Sequence, residues 1–379
     1  MLIINEQEGK RVLARKIKPQ KPDFVLLFVA GFILSAGLIM VLSSSSLFSY
    51  QNNDSYYHLF YKQLQWAIIG LIFGYIAVLF PYKKWKKLSG IGIIITIILL
   101  LLVEYTDLSV TVKGSARWLD IAGFNIQPSE IAKLSLIVFF AYTLTRYQVK
   151  RFRDIILPVM VMIPILYLIY EQPDLGTAVV IMITCGVMLL MTELSIGYFL
   201  IAIPLIGISG YHLIKNNEYQ WNRILGWLNP WEYATSHGYQ IVNAEIAFGT
   251  GGLFGIGIGR STESYGYLPE SYTDTIFAVI GEEFGFFGTS VVLVCFVILI
   301  ARGYYISRQC PDRFGRLLGF GITSLLGIQI AVNLCVVTGL TPVTGITLPL
   351  VSYGGSSLVI TMIQIGILLN ISRYRESKV

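Results

Sequence analysis

The sequence has few charged residues, and this scarcity excludes an ordinary water-soluble protein. Only 13% of its 379 residues are Asp, Glu, Lys or Arg, whereas 55% are hydrophobic. Soluble domains usually have about 25% charged residues. Because a water-soluble fold of this length could not bury so much apolar surface, the composition predicts a single membrane-embedded domain.

Cysteine and histidine are also scarce, which argues against several kinds of metal or disulfide site. The four cysteines contain no CxxC pair, so neither a disulfide framework nor a zinc site is expected. Three histidines are too few and too scattered for a histidine metal centre. The net charge of +6 would suit nucleic acid, but the positive charges flank membrane segments, so we expect no nucleic-acid partner.

Long apolar runs are what the sequence does contain. A helix needs about 20 residues to cross the ~30 Å of hydrocarbon in a bilayer, and shorter runs are completed by interfacial residues. The first run follows a basic leader and is too long for a signal peptide, so it predicts a retained signal anchor. We count ten runs, at about 24–43, 64–80, 90–105, 129–145, 155–170, 178–193, 195–211, 275–300, 317–337 and 358–371.

The distribution of lysine and arginine predicts the orientation. With the N-terminus inside, 21 of the 28 basic residues lie in inner segments, six lie outside and Lys133 falls within a span. Basic residues are enriched on the cytoplasmic side of membrane proteins. The pattern therefore predicts an N-in/C-in chain in which the inner segments are the leader, the loops 81–89, 146–154 and 301–316, and the tail.

This orientation divides the chain into three parts and defines its outer loops. Residues 1–23 form a cytoplasmic basic leader, residues 24–372 the polytopic membrane domain and residues 373–379 a cytoplasmic tail. The longest outer loop joins the seventh and eighth helices. The outer loops lie at about 106–128, 212–274 and 338–357, with a short outer turn at 172–177.

Lys133 is an ionisable residue within a span, which by default suggests function. Pro128 predicts the start of its helix, so Lys133 lies about 6 Å below the helix start. With Arg117 and Lys113 on the same outer side, it could bind a phosphate-bearing ligand. The alternative is an ion pair with Glu130 at i,i+3, or a side chain that extends towards the membrane surface.

Asp274 lies where the 212–274 loop meets a span, next to Thr273. An aspartate in this position can be a functional carboxylate or a helix N-cap, and the residues alone favour neither. Glu282 and Glu283 lie roughly 12 Å deeper along the same helix. Adjacent carboxylates within a membrane are costly unless paired or hydrated, so they predict either a proton relay or pairing with another helix. Asp174, in the 172–177 turn, is predicted to cap the next helix.

Two other motifs are interpreted as structural. Six glycines lie between Gly249 and Gly259, but no GxGxxG pattern or strand–loop–helix context supports a nucleotide loop. Close packing or a re-entrant turn explains them better. The serines near the last outer loop lack a GxSxG elbow, and that loop is expected to shape a cavity. Tryptophans at 221, 227 and 231 suit an amphipathic stretch on the membrane surface.

These motifs, in this order, resemble the SEDS family (shape, elongation, division and sporulation), the FtsW/RodA/SpoVE group. The resemblance covers nearly the whole chain. PVTGITLP and the closing LLNISRY are most similar to division and sporulation members of Gram-positive bacteria. The matching stretches are GSARW with IQPSEIAKL, QPDLGTA, NPWE with GYQ, GGLFGIGIG, YLPESYTDTIFAVIGEEFGFFG and TGLTPVTGITLPLVSYGGSSL.

The resemblance implies a peptidoglycan glycosyltransferase that polymerises lipid II at the outer face of the bacterial cytoplasmic membrane. It implies a class B penicillin-binding protein and other division proteins as partners. It puts the catalytic aspartate of the family's TD pair on Asp274 and the family's lysine on Lys133. It does not imply any particular cofactor. Whether a divalent cation assists at the diphosphate is left open. Two departures are Thr275, where the family usually has phenylalanine, and Asn125, where some members have a basic residue.

The chemistry of such a polymerisation agrees with the residues present. A carboxylate must accept the proton of the acceptor hydroxyl, and cations must stabilise the charge of the diphosphate leaving group. We therefore expect Asp274 to be catalytic. The candidates for binding the diphosphate and sugar are Lys133, Arg117, Arg223, Arg260 and Glu270.

Two other functions fit the same sequence. A lipid II flippase would use the same cavity and cations, with Glu282 and Glu283 as relay groups. It has no need of an outer general base, whereas a polymerase does. A non-catalytic scaffold of a division complex would tolerate the loss of buried charges that do not affect folding. The residues do not distinguish elongation, division and sporulation.

Overall fold

Long apolar helices make up most of the fold, which is known from a computed structural model. The structure describes residues 19–106, 109–112, 115–121, 123–147, 149–263 and 266–375. Most of the predicted leader, Lys113 and the last four residues of the predicted tail lie outside the described residues.

The described residues form twelve α-helices, numbered here in chain order. Short 3₁₀ turns at Tyr82–Lys84 and Phe152–Ile155 precede the third and fifth helices. The helices are α1 (Phe24–Asn53), α2 (His58–Leu79), α3 (Trp85–Tyr105), α4 (Pro128–Arg146), α5 (Ile156–Glu171), α6 (Leu175–Leu190), α7 (Ile196–Lys215), α8 (Glu218–Leu228), α9 (Tyr239–Gly251), α10 (Ile276–Gln309), α11 (Arg313–Val337) and α12 (Gly355–Ser372).

Ten of these helices correspond to the ten apolar stretches of the sequence. Eight are long and apolar enough to cross a membrane, namely α1, α2, α3, α5, α7, α10, α11 and α12. Helix α6 is apolar but shorter, and α4 has Glu130 and Lys133 in its first two turns. Most residues of α4 and α6 are buried inside the bundle. The fold is that of an all-α multi-pass membrane protein, whereas the count of ten crossings and the N-in/C-in orientation remain predictions.

Several helices begin where side-chain chemistry favours a start. The Asp23 carboxylate accepts a hydrogen bond from the backbone N–H of Leu26 at 3.0 Å and caps α1. Proline at the first position of α4 has no N–H to leave unpaired there. Asp174 caps α6 by accepting from the N–H of Thr177 at 3.3 Å, which confirms the predicted capping role.

The outer loop 106–128 contains a small sheet that the sequence analysis did not predict. Its strands are β1 (Ser109–Val112), β2 (Ser115–Ile121) and β3 (Phe124–Ile126), in the antiparallel order β1-β2-β3. Leu119 pairs with Ser109 on one side and with Ile126 on the other. The sheet satisfies its backbone groups internally and leads directly into α4.

The long outer segment 212–274 contains α8 and α9 and a glycine-rich loop. The indole N–H of Trp227, on α8, donates to the carbonyl of Gly339 at 2.9 Å and so joins this segment to the last outer loop. Trp231, which follows α8, is 63% exposed. An exposed tryptophan here agrees with the interfacial location predicted from the sequence.

Helix α7 stands apart from the bundle. None of its residues, all of which the structure describes, is buried. Leu200, Ile201 and Leu205 are each more than 65% exposed. Since such residues are unfavourable in water, we expect lipid or another apolar molecule to cover most of α7, whereas Phe199 near its start packs against the core.

The orientation predicts which positions an impermeant thiol reagent can reach. Cys310 is buried, at 2% exposed, so we choose exposed positions on opposite sides: Glu232→Cys outside and Lys84→Cys inside, each with the four native cysteines replaced. In intact spheroplasts the cysteine at 232 should be labelled, and the one at 84 should be labelled only after lysis. Labelling of position 84 before lysis, with position 232 protected, would reverse the orientation.

Candidate active site

Asp274 lies at the junction between the long outer segment and α10. Its side chain is buried, with 6% of the residue exposed. One carboxylate oxygen accepts a hydrogen bond from the side-chain amide of Gln240, on α9, at 3.2 Å. The other lies 3.1 Å from the hydroxyl of Thr273. Thr275 is the N-cap residue of α10, which has no side-chain cap, so Asp274 does not serve as the N-cap considered above.

The backbone around Asp274 is fixed by polar side chains from two other elements. The side-chain amide of Asn333, on α11, donates to the carbonyls of Asp274 at 2.7 Å and of Ile346 at 2.8 Å. The hydroxyl of Ser352, in the last outer loop, donates to the carbonyl of Thr273. Sequence reasoning missed both residues as parts of this site. An asparagine within an apolar span was the available signal, since polar residues in spans generally have a partner.

The environment of the Asp274 carboxylate favours its protonated form. Burial, and secondly the negative charge of Glu270, raise the pKa of Asp274 from 3.8 to about 6. The hydrogen bonds from Gln240 and Thr273 oppose this rise. Thr273 also contacts Glu270, with its hydroxyl 2.9 Å from a carboxylate oxygen. Glu270, a predicted substrate-binding residue, thus shares a hydroxyl with Asp274. A pKa near the working pH suits a general base.

A cavity with a volume of about 250 Å³ lies beside this carboxylate. Gln240 lines the cavity and also donates to Asp274, so it joins the two. Arg223 contributes the positive charge. Its guanidinium donates to the carbonyl of Val343 at 3.2 Å and lies 4.6 Å from the centre of the Tyr219 ring. The cavity is lined by Tyr219, Asn222, Arg223, Ser236, His237, Tyr239, Gln240, Pro269 and Val343.

Two of the other three predicted cations, Lys133 and Arg117, have partners of their own. Lys133 is 3% exposed and forms an ion pair with Glu130 at 2.8 Å, which is the alternative given for it above. Arg117, on β2, donates to the carbonyls of Gln172 and Pro173 and so fixes the turn before α6. Arg260 is exposed in the glycine-rich loop. Within the described residues, no hydrogen bond or ion pair joins these three cations to Asp274.

Glu282 and Glu283 hold the glycine-rich loop against α10. The fully buried Glu282 carboxylate accepts from the N–H of Thr262 at 2.9 Å and from the hydroxyls of Ser261 and Thr262. Glu283 accepts from the Ser43 hydroxyl of α1 and from the N–H of Gly259 at 3.1 Å. Glu283 is therefore paired with another helix, one of the two predicted alternatives, whereas Glu282 is held by the loop.

The glycines of this loop permit a close backbone approach to α10. Helix α10 is interrupted at Gly285, where φ is 67°, a value that favours glycine. The freed carbonyls of Glu282 and Glu283 accept from the N–H groups of Ile256 and Gly257, each at 3.0 Å. A Cβ on Gly255 would lie 2.1 Å from the Glu283 carbonyl oxygen. The close packing predicted for these glycines is therefore confirmed.

Acidic residues near the site do not converge as metal ligands do. Among the described residues, no group of three or more His, Cys, Asp or Glu side chains could hold a metal ion. The arrangement supplies instead a buried carboxylate with a raised pKa, an arginine in the cavity that Gln240 joins to it, and the exposed apolar surface of α7.

Comparison with known sequences gives a consistent result. A model of the FtsW/RodA/SpoVE family, described as cell cycle protein, matches residues 24–377. The chain is 40% identical to stage V sporulation protein E of Bacillus subtilis, an alignment that covers 94% of this chain and 98% of that protein. It is 38% identical to the probable peptidoglycan glycosyltransferase FtsW of Geobacter metallireducens, covering 93% and 95% of the two chains.

Solved structures show the same relationship. A chain from a study of structural coordination of polymerization and crosslinking by a peptidoglycan synthase complex aligns with a TM-score of 0.78 and 28% identity, covering 93% of this chain and 98% of that one. The rod shape determining protein RodA of Thermus thermophilus aligns with a TM-score of 0.69 and 27% identity, covering 94% and 98%. The motifs, the fold and both kinds of comparison agree, and the chain belongs to the FtsW/RodA/SpoVE family, the SEDS family that its motifs resemble.

Proposed function

We propose that this chain polymerises lipid II into glycan strands at the outer face of the bacterial cell membrane, with Asp274 as the general base. The chain is a multi-pass membrane protein and a peptidoglycan glycosyltransferase, as its FtsW relatives are named. The finer assignment, to lipid II and to particular residues, is our proposal. Its main support is the Asp274 carboxylate, which is buried, does not cap α10 and adjoins a cavity that contains an arginine.

The proposed reaction is a single displacement at the anomeric carbon of the donor sugar. The acceptor hydroxyl oxygen forms the new glycosidic bond, and the bond from the anomeric carbon to the diphosphate breaks with inversion. The hydroxyl proton passes to Asp274, and the bond electrons leave with the lipid diphosphate. General-base assistance by a positioned carboxylate typically contributes ~10²–10⁴-fold to the rate.

Positive charge must meet the diphosphate as it leaves. Arg223 is the best-placed candidate because it lines the cavity that Gln240 joins to Asp274. Lys133, Arg117 and Arg260 remain candidates, although the first two already have partners in the structure. Glu270 acts on Asp274 directly, since its negative charge keeps the proton affinity of the base high.

The exposed apolar surface of α7 suits the lipid part of such a substrate. The helix has exposed apolar residues on all sides, and its outer end leads into α8, which carries Arg223. A polyprenyl chain lying along α7 would bring its diphosphate to the level of the outer cavity. The apolar surface that the fold leaves uncovered would then be covered by substrate.

We also propose a transpeptidase partner. The structural neighbour with the TM-score of 0.78 comes from a peptidoglycan synthase complex that combines polymerisation and crosslinking. By analogy, this chain would act with a class B penicillin-binding protein and other division proteins. The relatives include both sporulation and division proteins.

A flippase is less well supported by the same geometry. The proposed relay residues, Glu282 and Glu283, accept hydrogen bonds from the loop 259–262 and from Ser43. Their positions are explained by holding this loop. A scaffold, in turn, has no need of a carboxylate with a raised pKa beside a cationic cavity. The distinguishing experiment is incubation of purified protein with lipid II, followed by measurement of glycan length.

The pKa of Asp274 predicts how polymerisation depends on pH. Only the ionised carboxylate accepts a proton, so kcat/KM should be full above the pKa and should fall as the pH decreases through about 6. Glu270→Gln removes the neighbouring negative charge and should lower the pKa of Asp274. The acidic limb of the kcat/KM profile should therefore move to lower pH, whatever the substitution does to the maximal rate. Glu232→Gln, an exposed carboxylate of the same outer segment, should leave the limb in place. An unmoved limb in Glu270→Gln would contradict the assignment.

Lys133 requires a design that separates folding from ligand binding. Removing one partner of a buried ion pair typically costs about 3–5 kcal/mol, so Lys133→Met should lower the thermal stability. The double variant Glu130→Gln/Lys133→Met removes both charges and should recover much of that stability.

If Lys133 binds the diphosphate, the double variant should polymerise lipid II roughly ten- to hundredfold more slowly than the wild type even though its stability is recovered. The reason is that a charge-assisted hydrogen bond contributes about 1.5–3 kcal/mol. Thermal unfolding and initial rates over a range of lipid II concentrations measure the two effects. A stable double variant with wild-type turnover would limit Lys133 to its ion pair.

The substitution Asp274→Asn tests the central assignment. Asparagine has nearly the same size and keeps a hydrogen-bonding side chain, but it accepts no proton at neutral pH. Glycan polymerisation should fall by about 10²–10⁴-fold, while membrane insertion and lipid II binding persist. Asp174→Asn is the matched control, since Asp174 is also a buried outer aspartate and asparagine caps a helix about as well. Normal glycan strands from Asp274→Asn protein would refute the catalytic role.

A further inference from the structure

A second and larger cavity lies at the opposite end of α10 from Asp274. Its volume is about 700 Å³, which falls within the ~300–1,000 Å³ of small-ligand sites. It is formed where α6 ends, α10 ends and α11 begins. This is the membrane face that the basic residues predict to be cytoplasmic. The lining residues are Met191, Thr192, Glu193, Tyr304, Ser307, Arg308, Arg313, Arg316, Leu317 and Phe320.

Three arginines give this cavity a strong positive charge. The side chains of Arg308, Arg313 and Arg316 form no hydrogen bond or ion pair with any described residue. The single carboxylate in the lining, Glu193, lies 3.4 Å from the ammonium group of Lys150. The cavity is therefore cationic overall, and its guanidinium donors are available to a ligand.

Three other cations on the same face, unlike the three arginines, are paired with a carboxylate. Arg302 forms an ion pair with Asp23 at 2.7 Å, and Arg375 lies 3.6 Å from the same carboxylate. Lys86 lies 3.8 Å from Asp312. Carboxylates thus neutralise these three cations, whereas no described residue pairs with the arginines that line the cavity.

The remaining lining residues indicate what kind of anion fits. Met191, Leu317 and Phe320 supply apolar surface beside the arginines, and Met191 is 52% exposed. The Tyr304 and Ser307 hydroxyls add polar groups. Arginine binds phosphate oxygens with two parallel hydrogen bonds. Apolar and phosphate-binding groups at one membrane face match a lipid that has a phosphate headgroup and acyl chains.

We infer that this inner cavity binds the phosphate headgroup of an anionic membrane phospholipid. Basic pockets between transmembrane helices on the cytoplasmic side are a recognised means of binding such headgroups. The apolar lining favours a lipid over an acidic peptide segment, whose backbone would need polar partners. This site lies at the far end of α10 from the catalytic carboxylate, and the inference does not depend on the proposed reaction.

The test is a titration of the purified chain, in neutral detergent, with cardiolipin, which has two phosphates, and with phosphatidylcholine as the zwitterionic control. Native mass spectrometry counts the retained lipids, and thermal unfolding gives the affinity. Cardiolipin should be retained and should raise the unfolding temperature, whereas phosphatidylcholine should do neither. Equal retention of both lipids would overturn the inference.

Substitutions locate the binding. Each arginine near an anionic phosphate contributes about fivefold in affinity, so Arg308→Gln/Arg313→Gln/Arg316→Gln should bind cardiolipin roughly a hundredfold more weakly. The matched control, Lys83→Gln/Lys84→Gln/Lys87→Gln, removes three exposed charges from the same face outside the cavity and should bind normally. Should the triple arginine variant misfold, the exposed single change Arg316→Gln, with an expected loss of about fivefold, replaces it.

Free pyrophosphate separates the two possible sources of the phosphate. It offers the same oxygens without acyl chains, so it should compete only weakly with cardiolipin. If pyrophosphate competed at concentrations equal to those of cardiolipin, the cavity would be assigned to a soluble phosphate compound. The inference that it binds a phospholipid would then be overturned. Equal cardiolipin affinities for the arginine and lysine triple variants would show that the cavity is not the binding site.

Discussion

Backbone that is not helical can lie at membrane depth only where its polar groups find partners inside the protein. The outer half of this chain depends on meeting that requirement. The glycine-rich loop meets it against the interrupted helix α10, whose carbonyls at Glu282 and Glu283 accept its N–H groups. In the last outer loop, the Ile346 carbonyl accepts from the Asn333 amide, and the Leu348 N–H donates to the Ser352 hydroxyl. The two loops together hold the short segment that contains Asp274.

The same enclosure gives Asp274 its chemical character. A carboxylate at an open loop end would be hydrated and would keep an ordinary pKa near 3.8, too low for efficient proton abstraction at neutral pH. Burial and the charge of Glu270 raise the pKa to about 6. Gln240, which lines the cavity, donates to this carboxylate and so connects the two. The packing of the two loops around Asp274 thus both fixes its position and raises its proton affinity.

Local patterns allowed most of the helices to be predicted from the sequence, but not the contacts between distant segments. The apolar runs, the start of α4 at Pro128 and the cap at Asp174 depend on neighbouring residues and were predicted correctly. The β-sheet was missed because its strands are only three to seven residues long and have no clear alternation. The roles of Asn333 and Ser352 depend on pairing across 59 and 79 residues of sequence, which no local pattern reveals.

For the candidate site, the sequence predicted the residue types better than their relations. Asp274 was singled out by its place at a loop–helix junction, yet only the structure distinguishes a carboxylate held by Gln240 from an N-cap. Lys133 was singled out because a charge in a span is costly, and the structure shows that Glu130 accounts for that charge. Glu282 and Glu283, equally costly, are likewise explained by partners from the loop. A buried charge in a membrane protein therefore indicates that a partner exists, without indicating whether the partner is a ligand.

Helix α10 connects these features across the membrane, and α1 braces it at both ends. At the inner end, Asp23 before α1 forms an ion pair with Arg302 of α10 at 2.7 Å. At the outer end, Ser43 of α1 donates to Glu283 of α10, and the hydroxyl of Ser271 donates to the carbonyl of Ser44 at 3.2 Å. Because α10 is 34 residues long, these anchors are tens of ångströms apart at about 1.5 Å per residue. A helix interrupted at Gly285 bends easily without support, and the two anchors of α1 lie on either side of this interruption.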